Sequence, residues 1–358
     1  MEFWRVLDTG LRSAAQNIAL NRALLEARQA EEIPSTLRFL RFTPAALLGY
    51  HQSAEQELNL DYCRANGIAI QRRITGGGAI YFDETQLGWE LYLHKRDLGT
   101  SDMQAISKRI CHAAAAAISA LGVDARYRPR NDIEVDGRKI SGTGGAFDGD
   151  ALMFQGTLLV DFDVEKMLRV LRIPAEKLSD KAIASARERV ANLTELLGRR
   201  PDVGQIRRNI VEAFESEFDV EFQEDELTLT EHARYQVALR EIDTRDWVDL
   251  VSRPTSGMPL LEAVQKFAGG LLRAAVSFDT LSRTIRQVWF TGDIFVNPRR
   301  TVADLEAALR DTPLDRIEAR IQAFFAGREV DMLTLTPADF VTVIRLAVKQ
   351  PLTDSVIK

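Results

Sequence analysis

The sequence predicts an α+β protein: a large first domain of mixed sheets flanked by helices, then a small α+β accessory domain. Three observations carry this expectation. Strand-like alternation, as in Thr36 to Phe42 and Leu87 to Leu93, is interspersed with helical apolar stripes. An Asp136-Gly137 pair sits between apolar alternations, which marks a two-residue hairpin. Ser252 to Pro259 has linker composition, and strand and helix patterns start again beyond it. The 358 residues suit two domains, which we place at residues 1–250 and 258–358 with a linker at about 251–257.

In chain order, Phe3 to Leu7 alternates as a strand. Ser13 then caps a helix, with Gln16 in capping-box position. Ala19, Leu20, Ala23, Leu24 and Ala27 form its apolar stripe, with Asn17 and Glu26 on the more polar side. Pro34-Ser35 breaks the pattern before the strand Thr36 to Phe42. Ala46 to Tyr50 is a second apolar segment, Asp61 to Ala65 a short helix, and Ile68 to Gln71 leads into a glycine stretch. Ala79 to Phe82 and Leu87 to Leu93 read as neighbouring strands joined by Asp83 to Gln86. Met103 to Leu121 is an Ala-rich helix stopped by Gly122.

In the hairpin Ile133 to Ile140, a two-residue loop puts Val135 opposite Arg138 and Glu134 opposite Lys139. On these residues alone, Lys139 reads as a solvated cross-strand partner of Glu134, worth about a few tenths of a kcal/mol. Small residues follow at Ser141 to Gly145, then a buried strand at Leu152 to Val160. Asp163 starts a helix that Pro174 stops. Lys177 to Arg189 is polar and helix-compatible, and a surface helix spans Val203 to Phe218. Glu221 to Asp249 is charged and weak in pattern. In the second domain, Gly270 to Phe278, Thr284 to Thr291 and Phe295-Val296 read as strands. Ala303 to Leu309, Leu314 to Phe325 and Pro337 to Lys349 read as helices.

Hydrophobic content of 46% and charged content of 27% are those of an ordinary globular protein. A net charge of -6 argues against a nucleic acid or an anionic membrane as partner. Neither a charged-then-apolar leader nor a membrane-length apolar stretch is present, so the expected location is the cytoplasm. Cys63 and Cys111 are the only cysteines and form no CxxC, which excludes a disulfide framework. Both lie in helical surroundings and read as small buried hydrophobes. The four histidines are scattered without ligand spacing, so no protein metal site is expected. Neither a GxSxG elbow nor a P-loop occurs.

What remains is one coherent set. Arg72 and Arg73 precede Gly76-Gly77-Gly78, then Ala79, Ile80 and Tyr81. The glycines suit either an anion-cradling loop or a tight turn in a solvated hairpin. Asn131-Asp132 enters the hairpin that carries Lys139, and Gln155, Gly156 and Thr157 lie in the following strand. Such a set suits charge neutralisation and positioning around a phosphate and a carboxylate.

These residues resemble the lipoate–protein ligases, of the biotin/lipoate ligase fold. The resemblance rests on Arg72 to Tyr81, Asn131-Asp132, Asp136 to Gly142, Gly156 to Leu159, and Lys181 to Leu197 with Asn192-Leu193-Thr194-Glu195-Leu196, all in the family's order. It implies a two-step reaction: ATP, with Mg²⁺, activates lipoate to lipoyl-adenylate, and a lysine of a carrier domain then takes the lipoyl group. That carrier is the E2 of a 2-oxoacid dehydrogenase, the H protein of glycine cleavage, or a related lipoate-binding protein. The resemblance implies that Arg72, Arg73, Gly76 to Tyr81, Asn131, Asp132, Lys139, Gly156 and Thr157 hold ATP or the adenylate. It places lipoate against Gly77, Lys139 and Gln155, and makes Lys139 the catalytic residue, its cation bridging the acyl carbonyl and the phosphate.

Two letters depart from the family pattern: Phe82 and Gln155 stand where the family usually has histidine. An octanoyltransferase of the same fold is the nearest alternative, and it needs a cysteine nucleophile just before the hairpin, where this chain has Arg130-Asn131-Asp132. A catalytically silent lipoate-binding protein is another. Biotin ligase fits less well, because its arginine–glycine loop is spaced differently.

Overall fold

The computed structural model describes residues 2–129, 131–172, 187–251 and 260–349. The expectations for Arg130, Pro174, Lys181 with the rest of 177–186, and the linker Ser252 to Pro259 fall outside these residues. The chain divides into two compact units. One comprises Met1–Leu47, Leu58–Ile74 and Ile80–Val248; the other comprises Leu48–Glu57, Thr75–Ala79 and Asp249–Lys358.

The strands of the first unit are β1 (Glu2–Arg12), β2 (Thr36–Phe42), β3 (Ala45–Leu48), β4 (Ala69–Arg72), β5 (Ile80–Phe82), β6 (Gln86–His94), β7 (Ala125–Arg128), β8 (Asp132–Val135), β9 (Arg138–Asp148), β10 (Ala151–Leu159) and β11 (Val220–Glu224). Eight of them form one sheet in the order β11-β1-β2-β6-β10-β9-β8-β7, and β4-β3-β5 form a second. Helices cover the large sheet on both faces, so its central strands are buried from either side. Leu87, Trp89, Leu91 and Leu93 of β6 pack with the helices Met103–Ser119 and Val203–Phe218. Tyr92 and Leu40 pack on the other face with the helices Ala14–Gln29 and Leu229–Ile242. Each fully buried aliphatic or aromatic side chain here contributes about 1.5–3 kcal/mol.

The Ser13–Gln16 capping box starts the first helix as the sequence predicts. Asn17, however, is fully buried. It donates to the Arg41 carbonyl at 2.9 Å and accepts from Arg38 at 2.5 Å. Arg38 pairs with Glu90 at 3.0 Å, and Asn21 and the Tyr92 hydroxyl donate to the same carboxylate at 2.7 and 2.6 Å. A polar residue on an otherwise apolar helical face thus marks a buried network, not a wet side.

Two other expectations change. β5 and β6 are not neighbours: β5 pairs with β3, and β6 with β2 and β10. Asp83 turns the chain between the two sheets, accepting from the Thr85 amide at 3.0 Å and the Tyr81 hydroxyl at 2.8 Å. The weakly patterned stretch after β11 holds the helix Leu229–Ile242, started by a Thr228–Glu231 capping box. The buried Glu231 also pairs with Arg5.

In the second unit, β12 (Leu260–Phe267), β13 (Gly270–Asp279), β14 (Thr284–Gly292) and β15 (Thr312–Pro313) form one sheet in that order. Thr301–Ala308, Ile317–Phe325 and Pro337–Lys349 are the helices, and Leu272, Val276, Val288 and Phe290 pack against them. Phe295-Val296 is not a strand; β12 and β15 supply the outer pairings.

Candidate active site

The hairpin β8–β9 turns at Asp136 and Gly137, with φ of 50° and 75°, the two positive angles a type I′ turn requires. Val135 faces Arg138 and Glu134 faces Lys139, as the sequence predicts. The register then slips by one residue, so that Ile133 faces Ser141 and Asp132 faces Gly142. Lys139 does not join Glu134. Its Nζ lies 2.7 Å from Asp132 Oδ1, while Glu134 meets Arg128 at 3.2 Å. Arg128 also donates to Asp132 Oδ2 at 2.7 Å.

Gly142 explains how lysine reaches Asp132. A Cβ built at Gly142 would lie 2.8 Å from Lys139 Nζ and 2.9 Å from its Cε. Thr157, opposite Gly142 on β10, exchanges hydrogen bonds of 3.3–3.4 Å with the Gly142 backbone. Arg128, Asp132, Gly142 and Thr157 therefore form one cross-strand row over β7, β8, β9 and β10, with the lysine amine above the glycine. Beyond β10, the Arg189–Ala191 segment continues the pairing. The Lys139 amide donates to the Arg189 carbonyl at 2.7 Å, and the Ala191 amide donates to the Lys139 carbonyl at 2.9 Å.

Burial alone would push the Asp132 carboxyl up, but Lys139 and then Arg128 outweigh it and hold it below the usual carboxylate range. Asn131 fixes the entry to the hairpin, its side chain donating to the Thr143 carbonyl at 2.9 Å. Gly156 faces Trp89, whose indole carbons would lie 2.2 Å from a Cβ there. Gln155 is partly exposed, opposite Glu90 on β6 and Gly144 on β9.

Of the two arginines, Arg72 is fully buried and donates to the carbonyls of Trp247 and Val248 at 3.1 and 2.6 Å. Arg73 donates to the Leu47 carbonyl at 2.9 Å, and burial pulls its guanidinium down to about 10. Ile80 and Phe82 pack in the core, Phe82 with its ring 4.6 Å from that of Phe42. Tyr81 is buried, with burial and Asp83 raising its phenol above the ordinary range. Thr75 to Ala79 lie in the second unit. There the Gly77 amide, at φ 92°, donates to the Ile294 carbonyl at 3.3 Å. A Cβ at Gly76 would lie 2.3 Å from the same oxygen, and one at Gly49 would lie 1.9 Å from the Gly77 carbonyl.

Both thiols are sealed, at 0% exposure. Burial pushes Cys111 up to about 11, although Thr143 donates to or accepts from its Sγ at 3.3 Å. Cys63 is likewise raised by burial. Among the described residues, no group of three or more His, Cys, Asp or Glu side chains is placed to hold a metal ion. No helix among them is long and apolar enough to cross a membrane. The sequence does not single out Arg128, whose signal is its pairing position opposite Asp132 on the neighbouring strand. It marks Gly142 without giving it a role.

Lys139 thus stands on a hairpin of the large sheet, and both thiols are buried. The chain belongs to the lipoyl protein ligase A/B catalytic domain family, which it matches over residues 13–215. It is 30% identical to lipoate-protein ligase A subunit 1 of Thermoplasma acidophilum over 242 residues, covering 64% of this chain and 90% of that protein. It is 27% identical to the octanoyltransferase LipM of Moorella thermoacetica over 267 residues, covering 69% and 98%. A crystal structure of lipoate-protein ligase A bound with ATP superposes with a TM-score of 0.62 at 27% identity, covering 70% of this chain and all of that one. The relatives thus include ligases and transferases.

Proposed function

We propose that this protein is an ATP-dependent lipoate–protein ligase. In the first step a lipoate carboxylate oxygen attacks the α-phosphorus of ATP. The bond to the β-phosphate bridging oxygen breaks and pyrophosphate leaves. In the second, the ε-amine of a carrier-domain lysine attacks the acyl carbon of lipoyl-adenylate. The acyl C–O bond breaks, AMP leaves, and the amine gives up a proton.

The observation that carries this reading over acyl transfer through a thioester is the state of the thiols. A transferase needs an accessible cysteine whose thiolate forms near neutral pH, and Cys63 and Cys111 are fully buried with raised pKa. Lys139 has the chemistry the ligase needs. Its ammonium neutralises phosphate charge and draws electron density from the acyl oxygen as the carbonyl becomes tetrahedral. Thr157 Oγ1, on the same row, would have to turn from the Gly142 carbonyl to donate to the same ligand oxygens. With no protein cage for a metal among the described residues, Mg²⁺ would arrive on the nucleotide phosphates, where it screens their charge. The ATP-bound relative supports the nucleotide assignment, and the relative named as a ligase supports lipoate as substrate.

Protein, lipoate, ATP and Mg²⁺ should release pyrophosphate in a lipoate-dependent reaction, and a lipoyl carrier domain added afterwards should gain the mass of one lipoyl group. Octanoyl transfer from an acyl carrier protein without ATP would overturn the ligase reading. Tight lipoate binding with no pyrophosphate release would favour a silent binding protein.

A further inference from the structure

The row Arg128–Asp132–Gly142–Thr157 contains one residue with no assigned role, Arg128. It lies on β7, the outermost strand of the large sheet, directly opposite Asp132. The two Asp132 oxygens are divided between two cations: Oδ1 meets Lys139 Nζ and Oδ2 meets Arg128 Nη2, each at 2.7 Å. One negative charge is therefore shared, and whatever one cation gives up the other takes. Lys139 is also the cation that a phosphate would have to recruit under the ligase reading, and its side chain is 38% exposed, open to such a ligand.

We infer that Arg128 is a positioning residue that acts through Asp132: it holds the carboxylate when the nucleotide phosphate draws Lys139 away. Asp132 is the resident counter-ion of Lys139. A phosphate approaching the amine competes with a carboxylate already at hydrogen-bond distance. Without Arg128, releasing Lys139 would leave the Asp132 carboxylate with neither oxygen paired to a cation, and such a partly buried charge is costly. With Arg128 in place, the Asp132 charge stays paired on Oδ2. Glu134 keeps the guanidinium oriented from its other nitrogen, 3.2 Å away. The groups that act on Asp132 in this exchange are Lys139 and Arg128; the buried Cys111 thiol, which the Asp132 charge also reaches, remains protonated near neutrality.

The inference rests on the ligase reading, and its test separates the two. In the full-length protein, Arg128→Ala should raise KM for ATP in lipoate-dependent pyrophosphate release about fivefold, the scale of a partly exposed ion pair, with kcat within about twofold. Arg128→Lys should restore most of the affinity. In an Asp132→Asn background, Arg128→Ala should have no further effect on KM, because the neutral amide no longer needs the guanidinium. An equal KM increase in that background would mean that Arg128 touches the nucleotide itself, and would overturn the inference, as would an unchanged KM in Arg128→Ala alone.

A second readout is independent of the reaction. The rate at which acetic anhydride modifies Lys139 at one fixed pH, followed by peptide mass, should fall in Arg128→Ala, because the Asp132 carboxylate then holds the lysine amine alone. It should rise in Asp132→Asn, which removes the partner carboxylate. If the wild type releases no pyrophosphate, the ligase reading fails, and these rates still decide whether Arg128 governs the Asp132–Lys139 pair. An unchanged rate in either variant would overturn it.

Discussion

Lys139 lies across the Cα of Gly142, three residues further along the same strand: a side-chain carbon on Gly142 would stand 2.8 Å from the lysine nitrogen. The glycine is thus the floor of the lysine's position. Because the displaced atom is the far end of a flexible chain, Gly142→Ala should cost less than about 1 kcal/mol of stability. Moving the amine by about 1 Å should lower pyrophosphate release by up to about a hundredfold. Thermal unfolding and a kcat measurement on one preparation check both halves.

Gly156→Ala should behave in the opposite way. Its new carbon meets the buried indole of Trp89, which has no room to move. Overpacking of this kind costs about 1–3 kcal/mol. Urea unfolding should show that loss, and an unchanged midpoint would contradict the packing described.

The Arg38–Glu90 pair predicts a larger effect. Arg38 is fully buried, and Glu90 is the carboxylate that pairs with it among the described residues. Glu90→Gln leaves a buried guanidinium charge uncompensated and should destabilise the first unit by about 3–5 kcal/mol. Denaturant titration of the full chain, followed by a probe in that unit, measures it.

Glu306 gives the second unit a pH dependence. Burial pushes its carboxyl up to about 7, although it accepts from the Phe290 amide at 2.7 Å. The folded state holds this proton until about pH 7 and the unfolded state only until its ordinary value of 4.5. Between these, the folded state binds more protons, so stability falls as pH rises through the window, by about 3 kcal/mol. Glu306→Gln should flatten that slope in unfolding experiments run from pH 4.5 to 7.5.

The sealed thiols predict chemical silence. Iodoacetamide at neutral pH should leave both Cys63 and Cys111 unmodified in the folded protein and leave pyrophosphate release unchanged. Rapid loss of activity on alkylation would point to a reactive thiol and to transferase chemistry.

Much of this architecture was legible in the residues because local rules decide it. Ser13–Gln16 and Asp136-Gly137 announce a cap and a turn through hydrogen bonds and dihedral angles that involve only near neighbours. The partner of Lys139 was not legible. Strict alternation puts residues 139 and 142 on opposite faces, and the one-residue slip between Ile133 and Glu134 reverses that parity. Asn17 failed for a related reason, since its partner Arg38 lies on a strand whose position no local pattern gives. Phe82 departs from the family's usual histidine in a position packed against Phe42, so an apolar ring there is consistent with its surroundings.

The glycine stretch leaves one thermodynamic consequence. The Gly77 amide, which a ligand oxygen would use under the ligase reading, already has an incumbent in the Ile294 carbonyl. Any ligand that takes this amide must first evict a tethered competitor present at a fixed, high local concentration. If that bond is worth about 1 kcal/mol, the measured affinity is about fivefold weaker than the loop's own, and the C-terminal sequence around Ile294 sets the handicap.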